Sequence, residues 1–212
     1  MLSSYLLTLA LAFANPTPFE AGSTSSAQTT IASHVMPMDD RYAVQSVNTV
    51  FKDNILLTLR YMDGEIKSKA DIDWNKVESD YHYSFTLQPG QEFAFHDKVA
   101  KQYNNGQIVQ ETNAHFDFDD GFKSDGYLTG DGVCHLASII DWVAKDAGLS
   151  VVAPTNHNFA NIPDVPKEYG VAIYEGPDGG EMTNLYITNN KNVPVTFKFD
   201  YTNNNLTVSV SE

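Results

Sequence analysis

The chain holds one cysteine, Cys134, directly after the glycine-rich stretch Gly130-Asp131-Gly132-Val133 and at the head of an amphipathic run. If that run is a helix, the free amides and dipole of its first turn favour a thiolate over a thiol. The same amides could hold the oxyanion that forms at an attacked carbonyl. This is the chemistry of a cysteine nucleophile, and it requires a base. His157, within Pro154-Thr155-Asn156-His157-Asn158, follows the run through a short connection that can return the chain to the helix start, and is the expected base. His135 adjoins Cys134, but successive helical residues diverge by about 100°, so it is expected to line the pocket. Gly130, Asp131, Gly132, Val133, His135 and Ser138 then form the candidate substrate and oxyanion pocket, with Asn156, Asn158, Asn161 or Asp164 as a third, orienting group. A second reading stands beside this one: Cys134 is a small packed residue, and the loop and helix start bind an anionic group such as a peptide carboxylate.

The elements that must position these residues follow from periodicity. From Cys134 to Leu149, Leu136, Ile139, Ile140, Val143, Ala144 and Ala147 fall on one helical face, and Gly148 is placed to end the helix. Cys134, Ser138, Asp141 and Lys145 fall opposite that stripe. Upstream, Asp53 is expected to cap a short helix over residues 54–62, where Ile55, Leu56, Leu59 and Met62 recur at helical spacing. Residues 63–80 read as an exposed insertion, and the β-rich runs on either side of Pro89-Gly90 as a hairpin. After the Cys134 helix come four β-rich runs, 169–174, 185–189, 193–201 and 206–211, the last two joined by a turn at Asn203-Asn204-Asn205. A Cys-bearing helix packed on a mainly antiparallel sheet, with a short N-terminal helix, makes an α+β fold.

Composition bounds the function. In 212 residues, 27 acidic side chains against 13 basic ones leave a formal charge of −14, a field that repels nucleic acid phosphates and anionic lipid surfaces. Neither nucleic acid nor peripheral membrane binding is expected. Residues 1–14 carry a short apolar run ending in Ala12-Phe13-Ala14, as a signal peptide or truncated membrane anchor would. Residues 15–37, rich in Ser, Thr, Ala and Pro over most of their length, read as a flexible linker, and the folded domain as 38–212. Two features suggest metals and neither is read as a site. The Asp-rich loop 116–132 lacks the ligand order of a calcium-binding hand, and His34, His82, His96 and His115 are scattered, without the compact ligand pairs of a zinc site. No cofactor is expected.

Several elements, taken in order from Asn54 to the C-terminus, resemble the VanW family, named for an accessory gene of vancomycin-resistance clusters. Asn54-Ile55 opening a helix and Pro89-Gly90-Gln91-Glu92-Phe93-Ala94-Phe95 are similar to its Asn-Ile and Pro-Gly-Glu-x-Phe-Ser-Phe elements. Gly130 to Ser138 resembles its Gly-Gly-Gly-x-Cys-Gln-x-Ser-Thr signature, with Asp131 in the triple glycine and His135 in place of Gln. His157 falls where the family has a His-Ser pair, Asn158 replacing the Ser. Asn184-Leu185-Tyr186-Ile187-Thr188-Asn189-Asn190 resembles its Asp-Leu-x-Phe-x-Asn-Asn strand with Asn184 for Asp, and residues 169–173 match its Asp-Ala-Thr-Val strand loosely, without the aspartate. The resemblance implies an exported or anchored, extracytoplasmic protein of the bacterial cell envelope associated with peptidoglycan or cell-wall peptide. On that footing the leading expectation is a Cys134–His157 hydrolase or transpeptidase acting on wall peptide bonds, and the alternative a non-catalytic binding or assembly module.

Overall fold

The computed structural model describes residues 28–126, 129–176 and 180–212. The expected signal or anchor segment, 1–14, and most of the expected linker lie outside them. The fold is α+β, as read from the sequence, but its strands form two four-stranded sheets.

The first sheet is antiparallel, in the order β1 (Thr30–Pro37), β8 (Asn205–Ser211), β7 (Val195–Thr202) and β2 (Tyr81–Leu87). Asn203 and Asn204 both take positive φ in the β7–β8 hairpin, which a two-residue turn matching strand twist requires. The second sheet runs β4 (Ile108–Thr112), β3 (Glu92–His96), β6 (Tyr186–Thr188) and β5 (Ser150–Val152), with β3 and β4 parallel and the other pairs antiparallel. Phe85 of β2 bridges the two sheets, its ring centroid 5.0 Å from Phe197 of β7 and 5.3 Å from Phe93 of β3.

Four sequence expectations are corrected here. The folded part begins before residue 38, because residues 30–37 are β1. This strand lies at a sheet edge, where only Met36 is fully buried and the other side chains are exposed or half-buried, so its sequence carries little strand patterning; the His34 ring stacks at 3.5 Å on Trp142 and fastens it to the Cys-bearing helix. The first helix, α1 (Gln45–Met62), starts well before residue 54, more than two turns early. Asp53 is therefore not its cap but a fully buried mid-helix side chain paired with Lys123. Pro89-Gly90 is not a hairpin turn: it passes the chain from the first sheet to the second, where Gly90 N–H donates to Asn189 O at 2.8 Å. Residues 169–174 form no regular strand. Among the described residues they make one bridge, Asn156 to Val171, because their other edge is occupied by the helix side chains Cys134 and Ser138.

Between α1 and β2, the exposed insertion contains α2 (Trp74–Val77), one turn capped by Asp73, whose carboxylate accepts from Asn75 N–H. The Cys-bearing helix α3 (Val133–Asp146) lies against β1 and β8 of one sheet, β5 of the other, and α1. Its apolar stripe is buried as expected. It ends where Gly148 takes φ +73° and Leu149 N–H returns to Ala144 O at 3.0 Å, the left-handed cap glycine favours.

Candidate functional site

Asn54 on α1 builds the entry to α3. Its amide nitrogen donates to Asp131 O (2.8 Å) and Lys123 O (3.0 Å), and its Oδ1 accepts from Lys123 N–H (2.8 Å). The loop thus clamped turns at Gly130 (φ +79°) and Gly132 (φ +103°). A Cβ on Gly132 would lie 2.6 Å from the Phe51 carbonyl oxygen of α1, so this glycine is required by close approach as well as by φ.

The helix start opens onto a cavity of about 820 Å3. Gly130, Asp131, Gly132, Val133, Cys134, His135 and His157 all line it, together with the aromatic side chains of Tyr42, Phe51, Phe116, Phe159 and Tyr174. The structure therefore brings together the expected nucleophile, base and pocket residues except Ser138; of the orienting candidates only Asn161 lines the cavity, Asp164 faces Arg41, and the partner of His157 Nδ1 is the Ala160 backbone carbonyl. The Ser138 side chain is fully buried: its hydroxyl donates to Cys134 O (2.6 Å) and accepts from Val171 N–H (2.9 Å), tying α3 to the 171–173 segment.

Cys134 is partly exposed at the cavity wall. Its sulfur lies 3.4 Å from Ile173 N and 3.5 Å from Ile173 O. Neither His157 nor His135 makes a hydrogen bond to it among the described residues. Desolvation pushes the thiol pKa up, and Asp131 pushes the same way. Amides of Ile173 and of Cys134 itself oppose these, less strongly.

Burial holds His157 below the ordinary histidine range, hence neutral at pH 7; its Nδ1 lies 3.1 Å from Ala160 O, which requires the proton on Nδ1 and leaves Nε2 as the basic nitrogen. His135 is pushed well below that range, first by burial and then by the Arg41 charge. Arg41 Nη1 stands 3.1 Å from His135 Nδ1, its Nη2 donates to Pro163 O, and its Nε faces Asp164 at 3.6 Å. A guanidinium can only donate, so His135 carries its proton on Nε2, 3.5 Å from the Tyr42 hydroxyl. His135 is thereby fixed as a neutral wall residue. Arg41 was not singled out from the sequence, since a lone arginine at the start of the folded part carries no local signal.

Asn184, which stands where the resembled strand pattern has aspartate, has a structural role. Its Oδ1 accepts from His96 N–H and Leu185 N–H, and its amide donates to His96 O and Lys98 O, both at 3.0 Å. An aspartate would aim negative charge at two carbonyls. Asn184→Asp is expected to destabilise the fold by about 3 kcal/mol or more at neutral pH, as buried unpaired charges do. The new carboxyl would have a raised folded pKa, so it remains protonated and costs least below the unfolded value of about 4. The deficit relative to the parent should then widen as pH rises above that value. Urea denaturation of parent and variant at acid and neutral pH measures it; an equal deficit at both would contradict a buried charge.

A family model described as VanW like protein matches residues 80–211, more than half of the chain and a span that includes Cys134 and His157. No curated protein and no solved structure matches.

Proposed function

From the premise that this chain belongs to the VanW-like family, with the cell-envelope context that membership carries, we propose that it is an envelope binding module whose cavity takes a peptide portion of peptidoglycan. The observation that carries this reading is the site's own chemistry: an open, aromatic-walled cavity of about 820 Å3 whose thiol is contacted by backbone and not by an imidazole. That volume lies within the range of pockets that enclose small ligands. Tyr42, Phe51, Phe159 and Tyr174 offer flat apolar area, and the start of α3 offers the positive end of its dipole to a terminal carboxylate, while the Val133 and His135 amides are taken by Gly130 O and Gly132 O.

A second reading, cysteine-dependent acyl transfer, is favoured by one observation. Cys134 sits at a helix start with its own amide facing the sulfur, in a cavity shared with a neutral His157. In that reaction Sγ would attack a peptide carbonyl while His157 takes the thiol proton and returns it to the leaving amine.

Titration of the chain with defined wall stem peptides, followed by calorimetry and by chromatography of the mixture, separates the two. A binding module should show saturable binding, changed by less than about threefold in Cys134→Ser, since oxygen for sulfur removes little of the pocket's contact area. Cleaved or transferred product that disappears in Cys134→Ser would overturn the binding reading in favour of catalysis. Absence of saturable binding by any stem peptide would overturn both.

A further inference from the structure

We propose that His96, Asp97 and Glu175 form a site for a divalent transition metal of the zinc class at the edge of the cavity, with His115, which here reaches Glu175 alone of the three, turning in as the fourth ligand. Donor atoms of His96, Asp97 and Glu175 all lie within 4.8 Å of one another. His115 Nε2 stands 3.7 Å from the Glu175 carboxylate. Glu175 and His115 also line the cavity.

The independent sign of a missing partner is Glu175. Its side chain is 2% exposed, and among the described residues neither carboxylate oxygen has a hydrogen-bond partner. Buried carboxylates normally have such partners or coordinate metals. The nearest cation, Lys98 Nζ, is 3.6 Å away on a side chain that is about half exposed and free to turn into solvent.

In both histidines the far ring nitrogen is held by an acceptor. His96 Nε2 lies 3.0 Å from Thr183 O, which can only accept, so the proton is on Nε2; its Nδ1 lone pair accepts a long 3.2 Å hydrogen bond from the Lys98 amide, which a metal would displace. His115 Nδ1 lies 3.1 Å from the Asp120 carboxylate, leaving Nε2 to face Glu175. A carbonyl or carboxylate on the far ring nitrogen is the usual arrangement behind zinc-bound histidine. Two nitrogens and two carboxylates suit zinc or a similar first-row ion, while calcium would need six to eight oxygens. Bound metal would join the end of β3 to the loop that carries Glu175. The site stands whether or not the cavity takes a wall peptide.

The test is zinc titration of chelator-treated, dialysed protein by calorimetry, with competition against a chromophoric chelator. One equivalent should bind, Glu175→Gln should weaken it by at least about 100-fold and His115→Ala by about 10-fold or more, and Cys134→Ser should leave it unchanged. Glu175→Gln removes a buried charge that is held only by long ion pairs among the described residues, 3.6 Å to Lys98 and 3.7 Å to His115, so circular dichroism should show it folded. Zinc should raise the Tm of the parent and not of that variant. No saturable zinc binding, equal affinity in Glu175→Gln, or calcium bound as tightly as zinc would each overturn the proposal.

Discussion

Gly132→Ala is expected to destabilise the protein by about 4 kcal/mol, the sum of a strained left-handed backbone and overpacking against a helix. Gly132 takes φ +103°, and its would-be Cβ meets the Phe51 carbonyl oxygen at 2.6 Å. That oxygen belongs to the backbone of α1, so no side chain can turn aside to make room. For a chain of this length the Tm should fall by roughly 10 °C, at 2–4 °C per kcal/mol. Gly148→Ala at the other end of α3 is the control. It has φ +73° but nothing within 4 Å of its Cβ position, so it should cost only about 1 kcal/mol. Thermal unfolding of both variants decides the matter: equal losses would mean that left-handed backbone alone, and not the approach of α1, makes glycine necessary before Cys134.

What was legible in the sequence tracks how strongly a segment's own residues determine its environment. The α3 stripe from Leu136 to Ala147 repeats at helical spacing and ends at Gly148, so its limits were readable almost to the residue. The alternation of Phe197, Phe199 and Tyr201 marked β7, and the asparagine turn marked the hairpin to β8. Expectation failed where a distant element supplied the partner. Thr30–Pro37 has linker-like composition and becomes a strand because β8 offers it an edge and Trp142 offers its His34 ring a stacking face. Asp53 resembles a cap locally, but Lys123, far along the chain, makes its burial tolerable. Residues 169–174 have strand composition, yet Ser138 Oγ and Cys134 Sγ take the amides of Val171 and Ile173 that a neighbouring strand would have used.

The candidate site divides in the same way. Cys134 and its glycines were visible because their chemistry is contiguous, and the cavity does bring His157 to them. The His96, Asp97, His115 and Glu175 cluster was invisible because, beyond the adjacent pair His96-Asp97 at the end of β3, its members come from separate loops far apart in the sequence. Asn54 and Asn184 illustrate a third case. Their positions stood out in the sequence, and the structure shows why without invoking chemistry: each satisfies several buried backbone groups of a turn.

The thiol itself yields the second large effect. Cys134 in the folded chain should react with iodoacetamide more slowly at neutral pH than in the urea-unfolded chain. The thiolate is the attacking species, and burial at the cavity wall raises the folded thiol pKa, with Asp131 adding to the rise. The sign follows directly. At a given pH below both pKa values the folded chain holds less thiolate, and its rate should climb with pH through the range in which a free thiol has already levelled off. By linkage, the raised folded pKa stabilises the fold fully below the unfolded thiol value of about 8.5. That contribution is lost as pH rises through the folded value. His157→Ala should leave the alkylation profile unchanged, because the sulfur's polar neighbours are Ile173 N and O and not the imidazole. A fast neutral reaction with a plateau, slowed by His157→Ala, would instead reveal a Cys–His ion pair that forms when the cavity rearranges. It would transfer the weight of the site from binding to acyl transfer.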